Sequence, residues 1–333
     1  MKIPSRLRRR LTGLGLVLGM GVGLPVGAPA AVFNFLIEND VVNGSDRHYT
    51  NGVRLGFLLE PQGVPDWISS PAEVLPFIDA QSDLFLDLAI GHTLFTPQDL
   101  LVSVPDPLDR PYAAWGFVEA GLVAENGKQL DQYRISFGWV GRAMQGEDIQ
   151  RIVHNDLIGG DDPQGWDFEL NNEPTFQFSY LKQWRAIVAR EFSGIEVDVT
   201  PHLGGAAGTV VVQAEAGLTV RLGQQLELDH GAPRILPGFG GTGYFAPRKG
   251  FGWYLHGGVS GRAVAHNIFL DGGTFRDGNR SVDREPLVGD ALLGAAFFWK
   301  GYTVNYTHVI RSREFETQDS VDQFGSLSFS VGF

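Results

Sequence analysis

Apolar and polar residues alternate along most of the chain after residue 30, in segments of about ten residues. One apolar line consists of Leu84, Leu86, Leu88 and Ile90. A second, with Gln132, Arg134, Ser136 and Gly138 on the opposite face, consists of Tyr133, Ile135, Phe137 and Trp139. Alternation with a period of two residues predicts β-strands that have one apolar face.

Twelve segments carry this pattern, and their number and length indicate the architecture. They lie near 32–39, 51–59, 83–94, 112–124, 130–140, 174–189, 194–203, 208–222, 250–265, 285–299, 301–311 and 322–333. Single-chain bacterial barrels have an even number of strands of about this length. The last segment ends in Phe333 after alternating Phe329 and Val331, which resembles an outer-membrane assembly signal. The sequence therefore predicts an all-β fold, a twelve-stranded antiparallel transmembrane β-barrel.

A water-soluble β-sandwich in the periplasm is the alternative architecture, because it would also show alternating strands. The even count, the strand length and the abundance of aromatic residues favour the barrel. A closed barrel also has no sheet edge that must be protected.

The first thirty residues have the three parts of a secretory signal peptide. A basic start is followed by an apolar run from Leu11 to about Val26, and Ala28, Pro29 and Ala30 close the segment. Several glycines and Pro25 interrupt the run, which is also short for a membrane-spanning helix. We expect residues 1–30 to be a cleaved signal peptide and residues 31–333 to form the barrel in the outer membrane.

Strand parity predicts which connections share one end of the barrel. If both chain ends are periplasmic, the connections on the extracellular side are 40–50, 95–111, 141–173, 204–207, 266–284 and 312–321. Two inward connections, 125–128 and 300–301, are tight as periplasmic turns should be. Two others, 60–82 and 223–249, are longer than this rule expects.

Composition excludes some classes of function. Lys and Arg number 26 against 38 Asp and Glu, and five of the basic residues lie in the first thirty positions. The remaining chain has a formal charge of −17, which opposes nucleic-acid binding and suits a site that holds a cation. The chain has no cysteine, so disulfides and thiolate metal sites are excluded.

Three polar clusters fall on the predicted extracellular side of the barrel. They are residues 38–40 with 46–52, residues 109–115, and residues 146–154 with 159–167 and 171–174. Ordinary turn chemistry is the alternative reading of each, because Asn, Asp and Gly tolerate unusual backbone angles. In the third cluster, Ile149, Ile152, Val153 and Leu157 recur at helical spacing. This spacing predicts a short helix that packs on the rim and fixes His154, in a loop that Trp166 helps to order.

Residues in these clusters resemble the motifs of the lipid A 3′-O-deacylase (LpxR) family of outer-membrane enzymes. The matching stretches occur in the family's order and cover most of the first half of the chain after residue 30. They are Glu38-Asn39-Asp40, Asp46-x-x-Tyr49-Thr50-Asn51-Gly52, Asp109-Arg110-Pro111-Tyr112-Ala113-x-Trp115, Gly138-x-Val140-Gly141, Gly146-Glu147-x-x-Gln150-x-x-x-His154 and Gly165-Trp166-x-x-x-Leu170-x-x-Glu173-Pro174.

The resemblance implies a twelve-stranded barrel and five catalytic residues. Asn39 and Asp40 match the family's Asn-Asp pair, Thr50 its site threonine, His154 its histidine and Asp161 an acidic site residue. It also implies Ca²⁺ as cofactor, with Asp40 and Asp161 as metal ligands. Some members have a second acid after the Asn-Asp pair, where this chain has Val41.

The implied reaction is removal of the ester-linked 3′ acyl group from lipid A of lipopolysaccharide. A histidine suits the base that activates water, and calcium, which prefers oxygen ligands, suits support of the oxyanion. We expect a monomer whose site faces outward from the outer membrane. The alternatives are an outer-membrane phospholipase A and a non-catalytic porin or adhesin.

Overall fold

The computed structural model describes residues 31–40, 47–72, 75–153, 162–236, 239–240, 243–246, 250–276 and 278–333. The predicted signal peptide, residues 1–30, lies outside the described residues. So do His154, Asp161 and the segment 41–46.

Strands account for most of the described chain. Their bounds are β1 Ala31–Asn39, β2 His48–Leu59, β3 Asp83–Thr96, β4 Ala113–Glu125, β5 Gln129–Val140, β6 Glu173–Trp184, β7 Val188–Phe192, β8 Ile195–Gly208, β9 Val211–Gln224, β10 Ile235–Leu236, β11 Phe239–Gly240, β12 Phe251–Asn267, β13 Leu287–Trp299, β14 Tyr302–Arg311 and β15 Asp322–Gly332.

The helices are short and lie between strands. They are α1 Asp66–Ala72, α2 Gly146–Ile152 and α3 Ile268–Asp271, with 3-10 turns at Pro61–Gly63, Arg142–Met144, Trp166–Phe168 and Leu226–Leu228. No helix in the described part of the chain is long and apolar enough to cross a membrane.

Twelve of the described strands close into an antiparallel barrel, as predicted. The order is β6-β5-β4-β3-β2-β1-β15-β14-β13-β12-β9-β8, and pairing of β6 with β8 completes the circle. At the other seam Ala31 and Phe333 exchange backbone hydrogen bonds of 3.2 and 3.1 Å. We call the end that holds both of these residues the terminal end and the opposite end the site end.

Two details of the predicted strands are wrong. Residues 174–189 do not form one strand, because the chain bulges at 185–187 before β7 resumes the pairing with β8. Residues 204–207 are not a connection, because β8 continues through them opposite β9. Small residues such as Gly204 and Gly205 interrupt the alternation in the sequence, whereas the backbone ladder does not require side chains and continues.

The two faces of the barrel wall have opposite polarity. On β5 the apolar line predicted from Tyr133 to Trp139 faces outward, and Ile135 and Phe137 are 42% and 57% exposed. Arg134 and Ser136 face the lumen and are buried. This is the arrangement expected of a barrel wall that contacts lipid.

Ion pairs fill the middle of the lumen. Arg54 Nη2 lies 2.7 Å from Asp87 Oδ2 and 2.9 Å from Glu119 Oε1, and Arg134 Nη1 lies 2.8 Å from each of the same two oxygens. Nearer the site end, Asp290 is bound by Arg262, Arg311 and Arg234. Every charge in these two layers has an opposite charge in contact, which buried ions require.

The long connection between β9 and β12 enters the lumen from the terminal end. Leu226, Leu228 and Phe245 are buried in an apolar cluster with residues of the wall such as Leu58 and Tyr254. Arg221 Nη1 donates to Asp229 Oδ1 at 2.6 Å. Sequence patterning left this connection unexplained, and in the structure its described residues from Leu226 to Ile235, with Phe245, lie in the barrel interior.

In the other long connection, 60–82, the described residues Pro76 and Phe77 lie against the outside of the wall at the terminal end. Phe77 stacks on Tyr180 with ring centroids 5.6 Å apart, and the Tyr133 hydroxyl donates to the Pro76 carbonyl. At the site end, α3 inserts Phe269 into the barrel mouth, where it stacks on Phe95 at 4.0 Å. The described lumen is therefore filled at both ends.

Candidate functional site

The ends of β1, β2 and β3 bring two of the predicted site residues into direct contact. Asn39 Nδ2 donates to the Thr50 carbonyl oxygen at 3.0 Å. The Thr50 hydroxyl lies 2.7 Å from the Thr96 hydroxyl, and both side chains are buried. Asn39 has the same outward parity as Ile37, and Thr96 the same as Leu94. This group therefore lies on the outer side of the wall rather than in the lumen.

A β-bulge places Thr50 on that side. Tyr49 is opposite Phe95 and Asn51 is opposite Leu94, so Thr50 is the extra residue of β2. At the rim of a barrel, such a bulge changes the side of the wall that the following side chains face. Here it leaves Tyr49 directed into the lumen while Thr50 meets Thr96.

Asp40, the third predicted site residue, follows directly on β1 and is buried. Its Oδ2 accepts the backbone N–H of Arg47 at 2.6 Å. The Arg47 side chain in turn donates to the Ser320 hydroxyl at 2.7 Å. The carboxylate thus holds together the two chain ends that flank residues 41–46.

The predicted rim helix is present as α2 and packs against the outside of β3 and β4. Ile149 and Met144 lie against a buried cluster that includes Leu94, Ala114 and Trp166. Leu94 is the cross-strand partner of Asn51, so this cluster adjoins the strand end that carries Thr50. Ile152, predicted to pack on the rim, is instead exposed.

Hydrogen bonds fix the orientation of α2. The indole N–H of Trp166 donates to Gln150 Oε1 at 2.8 Å, and both residues are buried. His92 Nε2 lies 2.9 Å from the Met144 carbonyl oxygen. The chain leaves this anchored helix at Val153, directly before the predicted base His154. His154 and the predicted acidic residue Asp161 lie outside the described residues.

Glu169, in the same loop, is a titratable group that the sequence did not single out. Burial raises the pKa of its carboxyl group to about 7; nearby Arg142 opposes the rise and nearby Glu147 adds to it. Arg142 Nε lies 3.3 Å from Glu169 Oε1, and Glu169 Oε2 has no hydrogen-bond partner among the described residues.

His48 is a second residue that sequence reasoning left without a role. Its Nδ1 lies 2.7 Å from Asp322 Oδ1, and its Nε2 lies 3.7 Å from Asp109 Oδ1. The side chain is buried, and the backbone is in the left-handed region with φ +63°. His48 thereby connects the start of β2 to the start of β15 and to the connection 97–112. These partners are distant in sequence, so no local pattern could have shown them.

The described rim contains one of the two predicted calcium ligands. In the described ranges, no three His, Asp or Glu side chains are grouped so that they could hold a metal ion. Of the two predicted ligands, Asp40 is described and Asp161 is not.

Comparisons with known proteins identify the family and the fold of the chain. The family model described as outer membrane protein LpxR matches residues 15–333. A search of curated proteins gives no match.

Among solved structures, LpxR from Salmonella typhimurium superposes with a TM-score of 0.71 at 17% identity, covering 91% of this chain and 100% of that chain. The β domain of the Bordetella autotransporter BrkA gives a TM-score of 0.42 at 9% identity, covering 92% of this chain and 99% of that chain. The first of these shows the same fold. The match of the family model over nearly the whole sequence shows that the chain belongs to the LpxR family of outer membrane proteins.

Proposed function

We propose that this protein is a calcium-dependent hydrolase that removes the ester-linked 3′ acyl group from lipid A, with water as nucleophile. The observation that carries the proposal is the family match over residues 15–333. The contact between Asn39 and Thr50 supports it, because two residues of the family motif that are eleven positions apart meet at one point of the wall.

The position of this contact suits a lipid substrate. Asn39 and Thr50 lie at the site end of outward-facing rows that continue as Ile37 and Val53. An ester at the membrane boundary could reach these polar groups while its acyl chain remained beside the apolar wall. A site within the lumen would have to accept the acyl chain among buried ions.

The protein groups have distinct roles in this reaction. His154 accepts a proton from the attacking water, and an imidazole has a pKa near the working pH for that task. The Asn39 amide donates to the developing oxyanion, a role in which a preorganised donor stabilises the transition state. Thr50 orients Asn39, since its carbonyl oxygen already accepts a hydrogen bond from that side chain.

Oxygen ligands at this position fit calcium. Asp40 is a buried carboxylate at the end of β1, and Asp161 would be its partner. Bound calcium would neutralise charge on the oxyanion, as metal ions do in ester hydrolysis. The chain has no cysteine, so a thiolate-bound metal is not an alternative.

Two other functions are less well supported. An outer-membrane phospholipase A would use a serine–histidine pair on a strand, and no such pair stands out in the sequence. A porin needs an open lumen, whereas the described lumen is occupied by ion pairs, by the connection between β9 and β12 and by Phe269. An adhesin would not require Asn39, Asp40 and Thr50 at one rim.

Mass spectrometry of lipid A from cells that express the protein tests the proposal. The wild type should lower the mass of lipid A by one ester-linked 3′ acyl unit. His154→Ala should reduce the rate by roughly two or more orders of magnitude, the usual scale for loss of a general base. Asp40→Ala should also reduce it strongly, and excess chelator should abolish activity of the wild type.

His202→Ala is the matched control. His202 lies on β8 in the opposite part of the wall and pairs with Glu215 at 3.2 Å. This variant should retain activity. Unchanged lipid A with a well-folded wild type, or full conversion by His154→Ala, would remove the basis for this mechanism.

A further inference from the structure

The connection between β9 and β12 extends through the lumen to the strand ends that carry the candidate site. It begins at the terminal end, yet its residue Ile235 donates a backbone N–H to Glu38 Oε1 at 2.9 Å. Glu38 is the eighth residue of β1, so at about 3.3 Å per residue the connection rises roughly 20 Å into the barrel. We call residues 226–236 the inserted segment.

Several buried polar contacts hold the inserted segment along this path. His230 Nε2 lies 3.0 Å from Glu125 Oε1 near the terminal end. Higher in the barrel, Arg234 Nη2 donates to Asp290 Oδ2 at 3.2 Å, and Arg234 Nε lies 4.0 Å from Glu38 Oε1. The segment therefore follows a defined course, and Glu38 is its contact next to the site.

The carboxylate of Glu38 also binds the second strand of the site. Its Oε2 accepts a hydrogen bond from the Tyr49 hydroxyl at 2.9 Å. A side chain at Gly52 would collide with that hydroxyl, so glycine at this position makes room for the Tyr49 ring. Both Glu38 and Tyr49 are buried in the lumen.

The neighbours of Glu38 and Tyr49 in sequence are the candidate site residues. Asn39 and Asp40 follow Glu38, and Thr50 follows Tyr49. A single buried carboxylate thus joins three pieces of backbone on the lumen side of the wall, opposite the point where Asn39 contacts Thr50.

We propose that Glu38 is a positioning residue, whose carboxylate joins the inserted segment to the ends of β1 and β2 and thereby holds Asn39, Asp40 and Thr50 in register. Its effect on catalysis rests on the proposed function, whereas its effect on the inserted segment does not. The charge matters as well as the shape, because a carboxylate can accept from Tyr49 and from Ile235 while facing Arg234.

Cysteine labelling tests the contact without any reference to activity. The chain has no native cysteine, so Ile235→Cys introduces a single thiol and keeps the backbone N–H. Ile235 is 2% exposed, so a water-soluble maleimide should label this thiol slowly. Adding Glu38→Gln should increase the labelling rate by about tenfold, as expected when a local opening becomes easier.

Glu119→Gln is the matched control. Glu119 is also a buried lumen glutamate, but it contacts Arg54 and Arg134 rather than the inserted segment. It should leave the labelling rate unchanged, and heat-modifiable migration on gels should show that all variants are folded. Equal acceleration by Glu119→Gln, or no acceleration by Glu38→Gln, would overturn the proposed contact.

Kinetics with purified lipid A test the positioning role. Glu38→Gln should lower kcat by about tenfold with little change in KM, because substrate contacts on the outer wall remain while the reacting groups lose register. It should also raise the calcium concentration needed for half-maximal activity. Tyr49→Phe should show a smaller change in the same direction. Wild-type kinetics in Glu38→Gln would overturn this role, whereas an inactive wild type would instead contradict the proposed function.

Discussion

On β5, Arg134 and Ser136 face the lumen and are buried, whereas Ile135 and Phe137 face outward and are exposed. The ends of β1 and β2 differ from this pattern. There Glu38 and Tyr49 face the lumen, but the outward positions hold Asn39 and Thr50, which are polar.

The difference distinguishes two uses of polar residues in one wall. In the lumen, the charged side chains of the two ion-pair layers each contact an opposite charge, which makes these layers part of the scaffold. On the outer face, the polar side chains of Asn39, Thr50 and Thr96 are uncharged and lie beside an anchored loop helix; Asn39 is half-buried and the two threonines are buried. Four predictions test this contrast, in order of decreasing effect.

Breaking a lumen ion pair should have the largest effect on stability. Arg54→Ala leaves Asp87 and Glu119 with one arginine instead of two. We expect a loss of about 3–5 kcal/mol in the free energy of unfolding, because an uncompensated buried charge remains. Denaturant unfolding in detergent or lipid measures it. The exposed pair of Arg151 with Glu147 is the control: Arg151→Ala should cost under about 1 kcal/mol. Equal losses of unfolding free energy in the two variants would contradict the structural role of the lumen ion pairs.

Placing a charge on the outward face should have the next largest effect. Ile135 lies near the middle of β5 and is exposed. Ile135→Arg should cost about 2–4 kcal/mol in a lipid bilayer, the scale for a charge at the membrane midplane. Ile135→Leu should be nearly neutral. If Ile135→Arg were as stable in lipid vesicles as Ile135→Leu, this face of β5 would not contact lipid.

Removing the Thr50 hydroxyl should affect activity more than stability. Thr50→Val leaves the Thr96 hydroxyl without its 2.7 Å partner, at a cost of about 1 kcal/mol in unfolding free energy. Activity on lipid A should fall by about tenfold if the hydroxyl pair helps to hold Asn39. Thr307→Val, at a buried threonine of the lumen, should change stability by a similar amount and leave activity unchanged. Unchanged activity in Thr50→Val, with reduced activity in Thr307→Val, would show that Thr50 is not part of the site.

A pH dependence at Glu169 should be the smallest effect. The pKa of this carboxyl is raised by burial to about 7 from its ordinary value of 4.5. The folded protein therefore holds the proton more tightly than the unfolded chain, so the contribution of Glu169 to stability falls as pH rises from 4.5 through 7. The protection of amides in residues 141–153 from hydrogen exchange, relative to their intrinsic exchange rates at each pH, should fall over this range. Glu169→Gln should flatten the dependence, and identical profiles in both proteins would exclude this group.

Much of the barrel could be predicted from alternation alone. The outward lines at Leu84–Ile90 and Tyr133–Trp139 have the faces that the pattern predicts, because each strand has one lipid side and one lumen side. The prediction was wrong at Gly204–Ala207, where small residues hide the pattern, and at 185–187, where a bulge breaks one strand into two. For the site, Asn39, Asp40 and Thr50 lie at one end of the barrel in the structure. The catalytic roles of these three residues, like those of His154 and Asp161, stay predictions.

The sequence by itself determined the class of fold, the strand count and the end of the barrel at which the motif residues gather. These properties depend on local alternation and on parity, which are readable along the chain. Only the tertiary structure decided that the connection after β9 enters the lumen, that Glu38 contacts Ile235, and that His48 lies between Asp322 and Asp109. Such contacts join residues up to 274 positions apart. They depend on which side chains closure of the barrel brings together, and no periodic pattern in the sequence encodes that.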